Sequence, residues 1–294
     1  MTVSHLFTQK RAAALVLALS LALPCVASAG DGRLLATGGA TQVEGSAGGG
    51  IVPWAVLSGY GTAGQHGGTA FATRVDTGDY ALTSYGAAYA WDNRLELSYA
   101  RQRFELGELQ RRLSLPTGRF DAEVVGAKLR LGGDLVYTTM PQVALGVQYK
   151  RQLDFAIPRA VGARDDRGID VYLSASKLFL AAVDDRHMLL NATVRSTRAN
   201  QAGLLGFGGD RKAGRSLVLE TSAAVLLDPH WAVGVEYRQK PDNLGFARED
   251  DWRDVFVAWF PNKHVAVVAA YADLGSIATL DRQRGAYLSL QASF

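Results

Sequence analysis

The chain has 294 residues, 48% of them hydrophobic, 9% aromatic and 20% charged, with 32 glycines and a formal net charge of +3. This excludes a disordered chain, which would be poor in aromatic and apolar residues. It also excludes a helical membrane bundle, which needs several apolar stretches of about 20 residues.

The N-terminus reads as an address. Residues 1–11 end in Lys10 and Arg11, residues 12–23 are apolar, and Pro24 precedes the small-residue pattern Ala27-Ser28-Ala29. That order predicts a secretory signal peptide over residues 1–29, with cleavage set by Ala27 and Ala29 and a run too short for a stable anchor. Cleavage after Ala29 removes Cys25, the one cysteine, and leaves a single domain of residues 30–294 without disulfide or Cys-bound metal. It also leaves 29 basic against 28 acidic residues, which takes away the main support for a nucleic-acid partner.

Period-two alternation runs through the remainder. Val125, Ala127, Leu129 and Leu131 alternate with Gly126, Lys128 and Arg130; Val143, Leu145, Val147 and Tyr149 alternate with Ala144, Gly146, Gln148 and Lys150; Trp231, Val233, Val235 and Tyr237 alternate with Ala232, Gly234, Glu236 and Arg238. Segments of about ten residues have the length a tilted strand needs to cross a bilayer. The apolar face often ends in an aromatic (Tyr149, Trp231, Tyr237, Trp259, Tyr271), as at a membrane interface.

Short turns at 92–93, 132–134, 184–186, 228–230 and 261–263 alternate with longer polar links near 107–121, 153–167, 200–214, 241–250 and 275–284. The asymmetry predicts periplasmic turns and outside loops. The fold class expected is an all-β, transmembrane, antiparallel up-and-down β-barrel in the outer membrane of a Gram-negative bacterium. Fourteen strands are expected, at 33–43, 51–60, 68–76, 80–91, 94–105, 122–132, 135–151, 168–179, 187–199, 215–228, 231–240, 252–260, 264–274 and 285–294. If the glycine-rich stretch 45–50 belongs to a lumen plug, twelve remain. The last strand carries Leu288, Leu290, Ala292 and Phe294 on one face, like the C-terminal signal that such barrels present to their assembly machinery.

No catalytic constellation is visible. His66, His187, His230 and His264 fall at short turns without a triad or metal-ligand spacing. The clusters Arg164-Asp165-Asp166-Arg167 and Arg248-Glu249-Asp250-Asp251 interleave charge in a way that favours pairing over calcium binding. No enzyme activity, cofactor or metal site is expected. The inward face is the informative one: Glu96, Lys128, Arg130, Gln148, Lys150, Asp170, Arg195, Glu220, Glu236 and Arg238 point to the lumen. They either line a narrow wet passage for small solutes or brace a closed barrel as charge ladders. Small inward residues (Gly86, Ala88, Ala90, Gly126, Gly146, Gly234) favour the passage.

Ile51-Val-Pro-Trp54, GVQYKR at 146–151, LLGFGGD at 204–210 and the long stretch EYRQKPDNLGFAREDDWRDVFVAWFPNKH at 236–264 resemble a family of outer-membrane proteins of Gram-negative bacteria catalogued as a domain of unknown function. The resemblance covers essentially all of residues 30–294 and implies a barrel and its location, without activity or site residues. The partners expected are the lipid bilayer with its lipopolysaccharide, the barrel assembly machinery and small solutes; the oligomeric state stays open.

Overall fold

The computed structural model describes residue 30 and residues 32–294; the expected signal peptide, with Ala27 and Ala29, lies outside the described residues. A short hairpin, β1 (Ala40–Thr41) and β2 (Ala47–Gly48), precedes twelve long strands. These are β3 (His66–Asp76), β4 (Ala81–Trp91), β5 (Leu95–Glu105), β6 (Arg119–Gly132), β7 (Gln142–Gln152), β8 (Arg167–Val183), β9 (Arg186–Thr197), β10 (Ser216–Leu226), β11 (Trp231–Arg238), β12 (Trp252–Asn262), β13 (Val265–Asp273) and β14 (Arg284–Ser293). Each pairs antiparallel with its chain neighbour, and β14 pairs with β3 to close the barrel. Closure removes every strand edge, so no ladder group of the wall waits for an outside partner.

The barrel has twelve strands rather than fourteen. The first two expected strands, 33–43 and 51–60, are not in the wall but inside it. Their backbone groups are satisfied by inward-facing wall side chains, so neither segment needs a strand neighbour. Two boundaries also move by four residues or more. The strand expected from 135 begins at Gln142, because Asp134 Oδ1 accepts from the amides of Val136 (2.8 Å) and Tyr137 (2.7 Å) and holds a turn there. β8 runs on to Val183 through an irregularity at which Ala181 takes φ 51°.

Connections differ between the two ends. At one, β4–β5, β8–β9, β10–β11 and β12–β13 meet in short turns; Asp228 and Asn262 cap theirs by accepting from the amides two and three residues on. At the other lie the long loops, apart from the four-residue β3–β4 link, and two of them carry short helices, α1 (Gly107–Leu113) and α2 (Ala156–Ala160). At the turn end the β6–β7 link is longer than the expected 132–134 turn and spans residues 133–141.

The two faces of the wall separate cleanly. Outward positions are apolar and exposed, Val125 at 52%, Val255 at 62% and Tyr271 at 61% among them. A continuous apolar surface of this kind suits lipid, not water. Trp231 and Trp259 face each other in register at the turn end and stack at 5.7 Å, while Tyr149, Tyr237 and Tyr271 stand toward the loop end. At the chain terminus Phe294 exchanges backbone hydrogen bonds of 3.0 Å with Gly68 on β3, and its ring lies 6.0 Å from that of Tyr89. Leu288, Leu290 and Ala292 share its outward face.

Candidate functional site

Residues 33–65 enter and leave the barrel at its turn end. Arg33 starts the segment by donating to the carbonyls of Leu57 (2.8 Å), Gly59 (3.2 Å) and Thr37. Burial draws the Arg33 guanidinium down to about 10. The β1–β2 hairpin then runs across the lumen, and Gln42, Glu44, Val52, Val56 and Leu57 are fully buried. Glycine permits this fit. Gly45 turns the tip at φ 97°, and a Cβ on Gly49 would lie 1.9 Å from Glu236 Oε1.

The hairpin tip carries one carboxylate into a cluster of wall charges. Glu44 Oε1 accepts from Lys150 Nζ at 2.5 Å and Arg238 Nη2 at 2.9 Å, and its Oε2 lies 3.6 Å from Arg195 Nη2. Arg195 in turn grips Glu220 (2.6 Å) and Gln148 (2.6 Å), Lys150 meets Asp170 (2.8 Å), and Arg238 lies 3.5 Å from Glu220. The Arg195 guanidinium also sits 5.0 Å over the Tyr172 ring. Three cations thus face three carboxylates, and the plug supplies the third. Burial alone would push the Glu44 carboxyl up, but Arg238, Lys150 and Arg195 overrule it and hold it well below the ordinary carboxylate range.

Elsewhere the wall binds the plug as it would a peptide. Glu236 Oε2 accepts the amides of Gly50 (2.6 Å) and Ile51 (2.8 Å), and Arg238 donates to Ile51 O (3.1 Å). Glu96 accepts from the amides of Ala47 (3.2 Å) and Ser58 (2.8 Å), and Lys128 donates to the carbonyls of Ala47 (2.7 Å) and Val56 (2.8 Å). Thr193, Asn191 and Ser174 converge on Pro53 O, while Ser176 and Gln142 satisfy the two backbone groups of Ala55.

Nine of the ten inward candidates, Glu96, Lys128, Gln148, Lys150, Asp170, Arg195, Glu220, Glu236 and Arg238, are therefore buried in the interior and meet the plug or one another rather than open water. The tenth, Arg130, is half-buried near the turn-end rim, where it binds Gly133 O (2.5 Å) and Asp134 (3.5 Å). The space expected above the small inward residues is filled: the Tyr172 ring covers Gly146, and Phe256 covers Gly234. Clefts between plug and wall measure about 30 and 10 Å³, room for little more than one water. The residue missed was Glu44. Its signal is isolation, since residues 34–73 contain no other charged side chain.

The loop end is covered too. Phe207 is fully buried in the 198–215 loop, and Leu244, Ile277 and Leu280 of two neighbouring loops join the same apolar core as Ile51, Val52 and Trp54. Lys240 donates to Gln201 Oε1 (2.7 Å) and lies 3.6 Å from Glu249, which accepts the Gln201 amide (2.9 Å). Burial pushes Glu249 up to about 7 and Lys240 down to about 8. The acidic loop clusters are paired, Asp165 with Arg198 (2.5 Å) and Asp250 with Arg248 (3.3 Å). His230 and His264 bond backbone carbonyls beside the short turns. Among the described residues no group of three or more His, Cys, Asp or Glu is placed to hold a metal ion.

Residues 37–291 match the family described as protein of unknown function (DUF3034). The chain belongs to that family. No curated protein matches it. Among solved structures, the outer membrane protein Omp33 of Acinetobacter baumannii is 12% identical, with a TM-score of 0.42, covering 78% of this chain and 97% of its own. An outer membrane channel from Pseudomonas putida F1 is also 12% identical at a TM-score of 0.42, covering 79% and 95%. OmpF of Salmonella typhi, in complex with daunomycin, is 10% identical at 0.37, covering 78% and 97%.

Proposed function

We propose that this family member is an outer-membrane channel for small polar solutes, held shut by residues 33–65 and opened when that segment shifts. The outward apolar surface with aromatics at both heights supports the membrane placement. The observation that carries the gating is the chemistry of the contact. The wall holds the plug largely through carboxylates, ammonium groups and hydroxyls on its backbone, and water can replace each of these as the plug leaves. A wall so lined would conduct small polar species once cleared.

One feature favours a second reading, a permanently closed barrel that presents its loops: the apolar cap over the loop end. Residues 30–294 contain no cysteine, so a tether is clean to build. Ala55→Cys with Ser176→Cys joins the plug to β8 where Ala55 N now donates to Ser176 Oγ at 2.8 Å. In planar bilayers the untethered protein should show discrete conductance steps, the oxidised tether none, and reductant should restore them. Silence from untethered and reduced protein alike would sink the channel and leave the closed barrel.

A further inference from the structure

Outward positions at the two ends of the wall differ in kind. At the turn end they are mostly apolar and exposed, as at Trp91, Leu95, Leu131, Trp231, Trp259 and Val265, with Lys177 and Arg186 as exceptions. At the loop end of β5 to β8 stand arginines instead: Arg101, Arg103, Arg119, Arg151 and Arg167. Carboxylates answer the first two, with Arg101 at 2.6 Å from Glu123 and 3.0 Å from Asp121, and Arg103 at 3.5 Å from Asp121.

Arg151 and Arg167 are placed differently. They are direct cross-strand partners on β7 and β8, and both are exposed. Like charges so placed, with Cα atoms about 5 Å apart, repel and weaken the pairing. Glu123, across from Arg151 on β6, is taken by Arg101 and by the Tyr99 hydroxyl (3.3 Å). Arg151 makes no ion pair among the described residues, and Arg167 reaches Asp166 (3.2 Å) while staying 65% exposed. Two residues toward the midplane, Tyr149 and Ile169 are also direct partners and also exposed. An exposed arginine pair, of which Arg151 has no ion pair among the described residues and Arg167 has Asp166 alone, thus sits above an apolar pair, the pattern an anionic amphiphile would complete. A phosphate suits it, because guanidinium groups bind phosphate oxygens in pairs.

We propose that this face binds the phosphorylated diglucosamine headgroup of lipopolysaccharide, lipid A, with one phosphate between Arg151 and Arg167. Width favours this occupant over a single-phosphate phospholipid. Arg119, Arg151 and Arg167, on β6 to β8, extend over two strand spacings, about 9 Å, more than a single phosphate spans. The long loops mark the same end as the outward one. The proposal rests on the outer-membrane placement but not on channel activity.

Native mass spectrometry of the full folded chain in detergent tests it, with diphosphoryl lipid A, dephosphorylated lipid A, phosphatidylglycerol and inorganic phosphate as probes. Diphosphoryl lipid A should bind about tenfold or more tightly than any other probe. Arg151→Gln with Arg167→Gln should lose that advantage, and Arg186→Gln at the turn end should keep it. Without lipid A the double variant should unfold at the same or a higher urea concentration, since the repulsion is gone. Equal binding by the double variant, or by dephosphorylated lipid A, overturns the site; equal binding of phosphatidylglycerol or free phosphate overturns the choice of occupant. A heat-dependent gel shift, run on every sample, reports separately on the barrel placement.

Discussion

Glu44→Gln tests the plug most directly. The substitution keeps the shape and one acceptor but removes the charge that Lys150, Arg238 and Arg195 surround at 2.5, 2.9 and 3.6 Å. Three buried cations are then left with Asp170 and Glu220 alone. Removing one partner of a buried ion pair costs about 3–5 kcal/mol, and the retained amide acceptor places this case near the lower end. At about 1.4 kcal/mol per tenfold, about 3 kcal/mol shifts the ratio of docked to undocked plug by roughly two orders of magnitude. Single-channel recording should therefore show a much larger open probability than in the parent protein. Limited proteolysis should cut within residues 33–65. Adding Lys150→Met restores the charge balance and should recover part of the closure. Unchanged open probability together with unchanged protection of that segment would refute the reasoning. The sign with pH follows from the depressed Glu44 carboxyl. Its contribution is fully present above its ordinary value of 4.5 and is lost only in stronger acid.

Gly49→Ala should give a similar open phenotype by sterics alone, because the new methyl would meet Glu236 Oε1 at 1.9 Å and displace the Gly50 and Ile51 amides from that carboxylate; barrel unfolding in urea should change little. At the loop cap, Glu249 is raised from 4.5 to about 7 by burial, so its contribution to stability is present below pH 4.5 and is lost as pH rises through about 7. The thermal midpoint of the gel shift should fall across that window in the parent and lose that part of its slope in Glu249→Gln.

Residues 66–294 were legible because two local signals agree there. Alternation places Val125, Val147 and Val235 on one face and Lys128, Gln148 and Glu236 on the other, and Asp92-Asn93 and Asp228-Pro229 mark turns. Residues 33–65 were legible only as the second choice, a lumen plug leaving twelve strands, since a glycine-rich segment with brief alternation reads first as weak strand. Its actual partners are side chains far along the chain, from Glu96 for Ser58, 38 residues away, to Glu236 for Gly50, 186 residues away. The candidate site was legible by halves for the same reason. The inward charges follow from period two, whereas what they hold depends on which segment reaches them, and the glycine-rich stretch 45–50 with the isolated Glu44 beside it hinted at it.

The position of the plug in the chain bears on how the barrel is made. Residue 65 leads directly into β3, which is also the strand that β14 must find to complete the ring. The seam is crowded: Gly59 lies against Gly67 and Gly68, and Phe294 bonds Gly68. A plug attached to the closing strand is already at the mouth when the last strand arrives, so it is enclosed as the ring shuts instead of being threaded afterwards. In this order docking of the plug accompanies closure of the wall during assembly. Release as proposed above would take residues 33–65 out through the turn end without opening the seam.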